Sequence, residues 1–239
     1  AEIPRWRDLD SGDRWLLAGI ALVGTFGFTV LMLLGMREAP GAIGAITMAT
    51  TPAVTAVGAV IFLHERLGKR TVAAIGCGLA GVVLVNVTVE TAQGSGDRLL
   101  LGSALVFGAV CCEATYTLAG RRLTADLSSL VIATAAAAGA LVAFVPFAVV
   151  DLVGFDWTAP TVGDWVAVVW WGLGTMALGS WLWFQGLQRV SGGTAAPVMA
   201  VMPVSALLLS YVLLDEAFQW AHLGGMALVL LGLLLVVRR

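Results

Sequence analysis

Apolar residues run in eight stretches, at 15–36, 40–63, 71–90, 98–119, 128–151, 164–187, 192–214 and 219–237, and polar residues gather in the short seams between them. Each stretch is long enough to cross the roughly 30 Å hydrocarbon core of a bilayer as a helix. A transmembrane barrel would show segments of about ten residues, alternately apolar and polar. These runs are continuous and far longer, so they predict helices. The fold class read from the pattern is all-α and polytopic, with eight transmembrane helices and the lipid bilayer as the main surroundings.

Displaced by 151 positions, the chain matches itself without a gap, residues 13–85 falling on 164–236. About fifteen of roughly seventy aligned positions are identical, a weak signal by number alone between apolar helices. The identities themselves are more telling. Pro52 falls on Pro203, Glu65 on Glu216, Gly35 on Gly186, Gly41 on Gly192, Gly81 on Gly232, and Met48-Ala49 on Met199-Ala200. A proline in mid-helix and a glutamate at a helix end have particular physical jobs, which shared apolarity does not explain. An odd number of helices separates the two starts, so the copies enter the membrane from opposite faces. That is an inverted-topology repeat, the layout of many secondary transporters. The helices at 98–119 and 128–151 precede the second copy and have no counterpart before the first. The parent protein is therefore expected to hold five plus five helices, of which this sequence carries three plus five. The polar opening residues, with no initiator methionine and no apolar leader, fit a sequence that continues a longer one.

Charge adds an orientation. The chain holds 13 Lys and Arg against 15 Asp and Glu in 239 residues, about half the charged share of a soluble domain. Soluble enzymes, secreted disulfide domains and nucleic-acid binders are thereby disfavoured, and a net charge of −2 leaves no basic surface. Threading the eight helices back and forth collects 11 of the 13 basic residues on one side, leaving Arg37 and Arg98 opposite. Short basic loops stay cytoplasmic. Both ends are expected inside, in a bacterial inner membrane. The three cysteines, Cys77, Cys111 and Cys112, lie within apolar stretches and read as small core residues.

The repeated text is Gly41 to Pro52, then Leu63-His64-Glu65-Arg66-Leu67, then Gly76 and Gly81. Its partner is Gly192 to Pro203, then Leu214-Asp215-Glu216, then Gly225 and Gly232. In these motifs the chain resembles the drug/metabolite transporter superfamily, specifically its ten-helix EamA branch, over nearly its whole length from about residue 13. The resemblance implies a partial first EamA repeat at 1–90 with three helices and a second repeat at 91–239 with five. It also implies a carrier of small metabolites or drugs, commonly outward, working by alternating access. The family spans amino acids, sugars, nucleotide precursors and toxic compounds, so the resemblance fixes no substrate.

Several residues stand out against the apolar background. Glu113 sits about four turns into the 98–119 helix, where a carboxylate costs several kcal/mol unless paired, hydrated or protonated. Gly102, Ala109, Thr117 and Gly120 form a small-residue strip near its face, which predicts that the face packs inward. The run Ala109–Thr115, with Arg121 eight residues past the glutamate, also resembles the first helix of small multidrug resistance proteins. That resemblance implies a glutamate shared between protons and cationic substrate. The other reading is a structural carboxylate reaching Arg121, Arg122 or the hydroxyl of Tyr116.

Pro52 and Pro203 each remove a backbone donor from a helix middle and free a carbonyl that a cavity or a neighbouring hydroxyl must satisfy. Around them lie Thr47, Thr50, Thr51 and Thr55 in one copy and Thr194, Met199, Met202, Ser205 and Ser210 in the other. Repeat-equivalent broken helices at mid-membrane point to a binding site; a simple packing kink is the competing reading. In the 164–187 helix, Trp165 and Trp183 read as interfacial anchors, whereas Trp171, Trp181 and Gln185 could line a cavity for an organic or cationic substrate. Glu65 and Glu216 end equivalent helices and read as turn-shaping. His64 and His222 lack partners for a metal or a catalytic triad, and there is no phosphate-binding loop. Neither cofactor nor metal is expected. The sequence thus predicts a secondary carrier that exports small organic solutes, with protons as a coupling ion through Glu113. A facilitative pore and a truncated, non-transporting membrane fragment or scaffold remain as alternatives.

Overall fold

The computed structural model describes residues 9–63, 68–93, 96–189 and 201–237, and every regular element among them is helical. In chain order these are α1 (Ser11–Glu38), α2 (Gly41–Met48 and Thr51–Leu63), α3 (Lys69–Gln93), α4 (Gly96–Leu123), α5 (Ser129–Leu152), α6 (162–189), α7 (Val201–Leu213) and α8 (Trp220–Val237). Among the described residues five helices are long and apolar enough to cross a membrane, and shorter apolar helices lie at Val72–Val85, Val204–Leu213 and Trp220–Gly232. The polar seams supply the helix starts. Asp10 caps α1 through the Gly12 amide, and Ser128 caps α5 through the Val131 amide. Thr161 and Asp164 form a reciprocal capping box at the start of α6, satisfying amides that the first turn leaves without partners.

Two helices carry wide turns. Residues Ile20–Gly27 of α1 and Trp170–Gly179 of α6 are π-helical, and the 151-residue displacement lays 20–27 on 171–178. The Thr25 hydroxyl donates to the Ile20 carbonyl, five residues back, at 3.1 Å. The two π-helical stretches thus fall at repeat-equivalent positions. Nothing in the composition of these stretches distinguishes a π turn from an α turn.

The chain divides into two compact units. One contains the first half of α1, the end of α4, α5 and α6. Inside it, Phe26 packs on Phe144 and Phe147, with ring centroids 4.6 and 5.7 Å apart. Phe184 is fully buried against Gly120, and the Gln188 amide group donates to the Leu127 carbonyl at 3.3 Å. The rings of Trp157 and Trp165 stack at the beginning of α6. Much of this unit's surface is apolar: Val142 and Trp170 are both 71% exposed. Such a surface suits lipid, since soluble proteins rarely expose contiguous apolar patches of this kind.

The second unit contains the rest of α1, α2, α3, most of α4, α7 and α8. Its core gathers Ile43 and Ile46 of α2 with Val85 of α3, Leu207 of α7 and Val229 of α8. α3 and α8 approach each other backbone to backbone. A Cβ placed on Gly81 would stand 2.6 Å from the Gly225 carbonyl oxygen, and one on Gly232 would stand 2.8 Å from that of Ala74. The same displacement carries Gly81 onto Gly232 and Ala74 onto Gly225, so the two contacts are repeat images of each other. Because the later partner of one helix meets the earlier partner of the other, α3 and α8 run antiparallel. Small residues let the backbones meet, as membrane helix packing requires in the absence of a hydrophobic drive between helices. The end of α1 meets the start of α4 in the same way, with Gly102 against the backbone of Glu38 and Ala39 and Gly35 against Val106.

Candidate functional site

The site is built around the interruption of α2. Its first half ends at Met48 and its second begins at Thr51. Pro52 has no N–H to give to the Met48 carbonyl, four residues earlier, so a regular helix cannot continue there. The neighbouring hydroxyls fill in: Thr51 Oγ1 donates to the Met48 carbonyl at 2.7 Å, and Thr50 Oγ1 to the Thr47 carbonyl at 2.7 Å. Thr51 Oγ1 also stands 2.9 Å from Oε2 of Glu113 on α4. The carboxyl named from its position in one helix and the proline named from the repeat are therefore joined through a single hydroxyl.

A cavity of about 420 Å³ opens beside them, lined from α1, α2, α4, α7 and α8. That volume falls within the roughly 300–1,000 Å³ typical of small-molecule sites. It extends along α2 from Gly41 to Pro52, about 16 Å of helix. Its wall is almost wholly apolar, and Glu113 is the one charged side chain among its lining residues. Four of the lining residues are methionines: Met32 and Met36 of α1, Met48 of α2 and Met202 of α7. Thioether side chains are flexible and polarizable, and they shape themselves to varied apolar surfaces. Thr51 and Ser210 add the hydroxyls, the latter donating to the Leu207 carbonyl at 2.9 Å. Thr51 and Met202 are repeat-equivalent, each directly preceding its proline.

One end of the cavity is tied by Glu216. Its two carboxylate oxygens accept from the amides of Gly41 and Ala42, the second at 2.9 Å. This carboxylate does for α2 what a capping side chain ordinarily does from the preceding residue, and it meets the positive end of the helix dipole. The turn that aims it contains Asp215 at φ 51°, a left-handed conformation that aspartate tolerates better than most residues. Next to it, the Tyr211 hydroxyl and His222 Nδ1 lie 2.9 Å apart, with the imidazole buried. The sequence predicts a turn-shaping role for Glu216; its carboxylate instead caps the start of a distant helix.

Of the residues singled out in the sequence, Glu113, Thr51 and Pro52 line one cavity, together with Met202 and Ser210. Thr47 is fully buried in α2 and is not among the lining residues. Tyr116 lies partly buried on α4, outside the lining. Trp171, Trp181 and Gln185 belong to the other compact unit, with Trp171 half exposed and Gln185 partly buried. Met199, Thr194, Glu65 and His64 lie outside the described residues, and Pro203 falls in the first described turn of α7. Sequence reasoning missed Met32 and Met36. Their spacing of four residues on one helix was an available signal, but methionine in a membrane helix looks like any other apolar residue.

The profile of the EamA-like transporter family matches residues 2–87 and 100–238. The uncharacterised transporter YetK of Bacillus subtilis (strain 168) is 31% identical over 229 residues, covering 96% of this chain and 69% of YetK. A probable terminal-alkyne amino-acid exporter of Streptantibioticus cattleyicolor is 26% identical, covering 99% of this chain and 75% of that protein. A crystal structure of a protein at 22% identity superposes with a TM-score of 0.63, covering 95% of this chain and 78% of the other, which speaks to the fold alone. The matched segments take in both copies of the repeated proline-containing sequence motif, and the relatives are named as transporters, not enzymes. This multi-pass membrane protein belongs to the EamA-like transporter family.

Proposed function

We propose that this transporter is a proton-coupled secondary carrier that moves small organic solutes out of the cytoplasm by alternating access. The observation that carries the reading is the cavity itself, an apolar, methionine-lined space with a single carboxyl beside a broken helix. A carrier needs a site that holds a solute at mid-membrane and a group whose charge changes as the site turns over. Glu113, held by Thr51, supplies the second, and the cavity wall supplies the first. The repeat at 1–90 and 91–239, with its two copies inverted, would provide the rocking halves. The one-sided distribution of basic residues supports cytoplasmic termini in a bacterial inner membrane. Outward transport of a small organic solute is supported by the printed activity of the Streptantibioticus relative.

Uptake of candidate solutes into everted vesicles, driven by an imposed pH gradient, tests the proposal. Wild-type transport should saturate with solute and collapse with the gradient. Glu113→Gln should insert normally and lose at least nine-tenths of gradient-driven flux. Wild-type flux in Glu113→Gln at every pH would end the proton-site reading, and flux that fails to saturate would replace the carrier with a pore.

A further inference from the structure

We infer that Thr51 is a positioning residue that links the protonation of Glu113 to the break in α2, tying the helix halves together when the carboxyl carries its proton and releasing them when it gives the proton up. This rests on the proton-carrier reading above. It adds the hydroxyl and the backbone carbonyl through which protonation would be felt.

The reasoning is a count of protons. Pro52 leaves the Met48 carbonyl without its ordinary helical donor, and Thr51 Oγ1 lies 2.7 Å from that oxygen and 2.9 Å from Oε2 of Glu113. A hydroxyl has one proton to donate and two lone pairs to accept with. When Glu113 is a neutral acid, its O–H donates to Oγ1 and Thr51 donates to Met48. Every group is then satisfied by a chain of two bonds. When the proton leaves Glu113 for water entering the cavity, Oγ1 stands between two acceptors with one proton for both. The charged acceptor prevails, because hydrogen bonds to an ionised group are roughly twice as strong. The Met48 carbonyl then loses its partner at the point where the helix is already interrupted.

Among the described lining residues there is no substitute charge. α1 contributes Met32 and Met36, α7 contributes Met202 and Ser210, and α8 contributes Val229, with no Lys, Arg, His or second carboxyl among the lining residues. On α4 itself the titratable neighbours are Cys111, Cys112 and Tyr116. At the far rim Glu216 accepts from the Gly41 and Ala42 amides. Ser210 is committed to the Leu207 carbonyl. The proton on Glu113 is thus the local variable, and Thr51 is the group that passes it to the backbone.

Hydrogen exchange of the intact protein in nanodiscs, followed by mass spectrometry across a pH series and corrected for intrinsic rates, reads the link at residues 49–54. In the wild type, exchange there should rise on the order of tenfold as Glu113 ionises, the ratio expected for losing one such bond. Glu113→Gln keeps a permanent donor toward Oγ1, so its exchange should stay slow at every pH. Thr51→Val should exchange fast at every pH, and Thr51→Ser should restore the wild-type response. A Thr51→Val protein that follows the wild-type course overturns the inference. If that variant fails to insert, a Glu113→Gln course that still rises with pH overturns it equally. Failure of the underlying carrier reading shows separately, as proton-independent transport in the wild type.

Discussion

Glu216 and Glu113 are both carboxylates in an apolar chain, and their neighbours give them different work. Glu216 meets two backbone amides at a helix start, a fixed partnership that holds the end of α2. Glu216→Ala removes the acceptor for both amides and should cost about 1–2 kcal/mol of stability, read as a lower melting temperature in detergent. Glu216→Gln keeps one acceptor and should fall between that variant and the wild type. Equal melting of all three would mean the cap carries no weight. Glu113 was legible in the sequence because a carboxyl four turns into an apolar helix needs an explanation wherever it occurs. The cap was not legible, because Gly41 and Glu216 lie 175 residues apart and nothing in either segment names the other. Thr51 fell between these cases: its nearness to Pro52 was plain, but its approach to Glu113 depends on how α2 and α4 lie together.

At the level of elements, the broken α2 and the close pair α3 and α8 make opposite demands. Replacing Pro52 by alanine returns an N–H to the Met48 carbonyl and should stabilise α2 by on the order of 1 kcal/mol. The same change should slow transport, because a continuous helix can no longer yield at its middle. Melting and vesicle flux should therefore move in opposite directions, and a variant that gains both would refute a working role for the break. In α3 and α8 the expectation is symmetry. Gly81→Ala and Gly232→Ala each drive a methyl into a carbonyl of the facing helix, and each should destabilise by about 1–3 kcal/mol. A large effect at one glycine and none at the other would deny that the contacts are images of each other. The π-helical stretches were beyond sequence reading. Their period differs from that of an α-helix by less than one residue per turn, and a uniformly apolar stretch offers no polar face against which to measure it.

For the whole molecule, the eight helices were legible because lipid forbids polar seams inside apolar spans, so the seams mark the helix limits. Lateral packing was not, since an apolar face turned to lipid and one turned to a neighbouring helix are written in the same residues. Trp171 and Trp181 belong to a different compact unit from Glu113, a division that the sequence does not announce. Cysteines placed singly in the 124–128 and 153–161 loops would test the orientation: an impermeant thiol reagent applied to whole cells should label only the second. Labelling of the first would reverse the assignment of the two faces. The meeting of α3 and α8 has a mechanical meaning as well. Where peptide rests on peptide there is no room for a passenger and no slack for sliding, so in the proposed carrier this seam would be an axle, with the moving parts swinging elsewhere. Spin labels flanking it should report one unchanging separation whichever way the carrier faces.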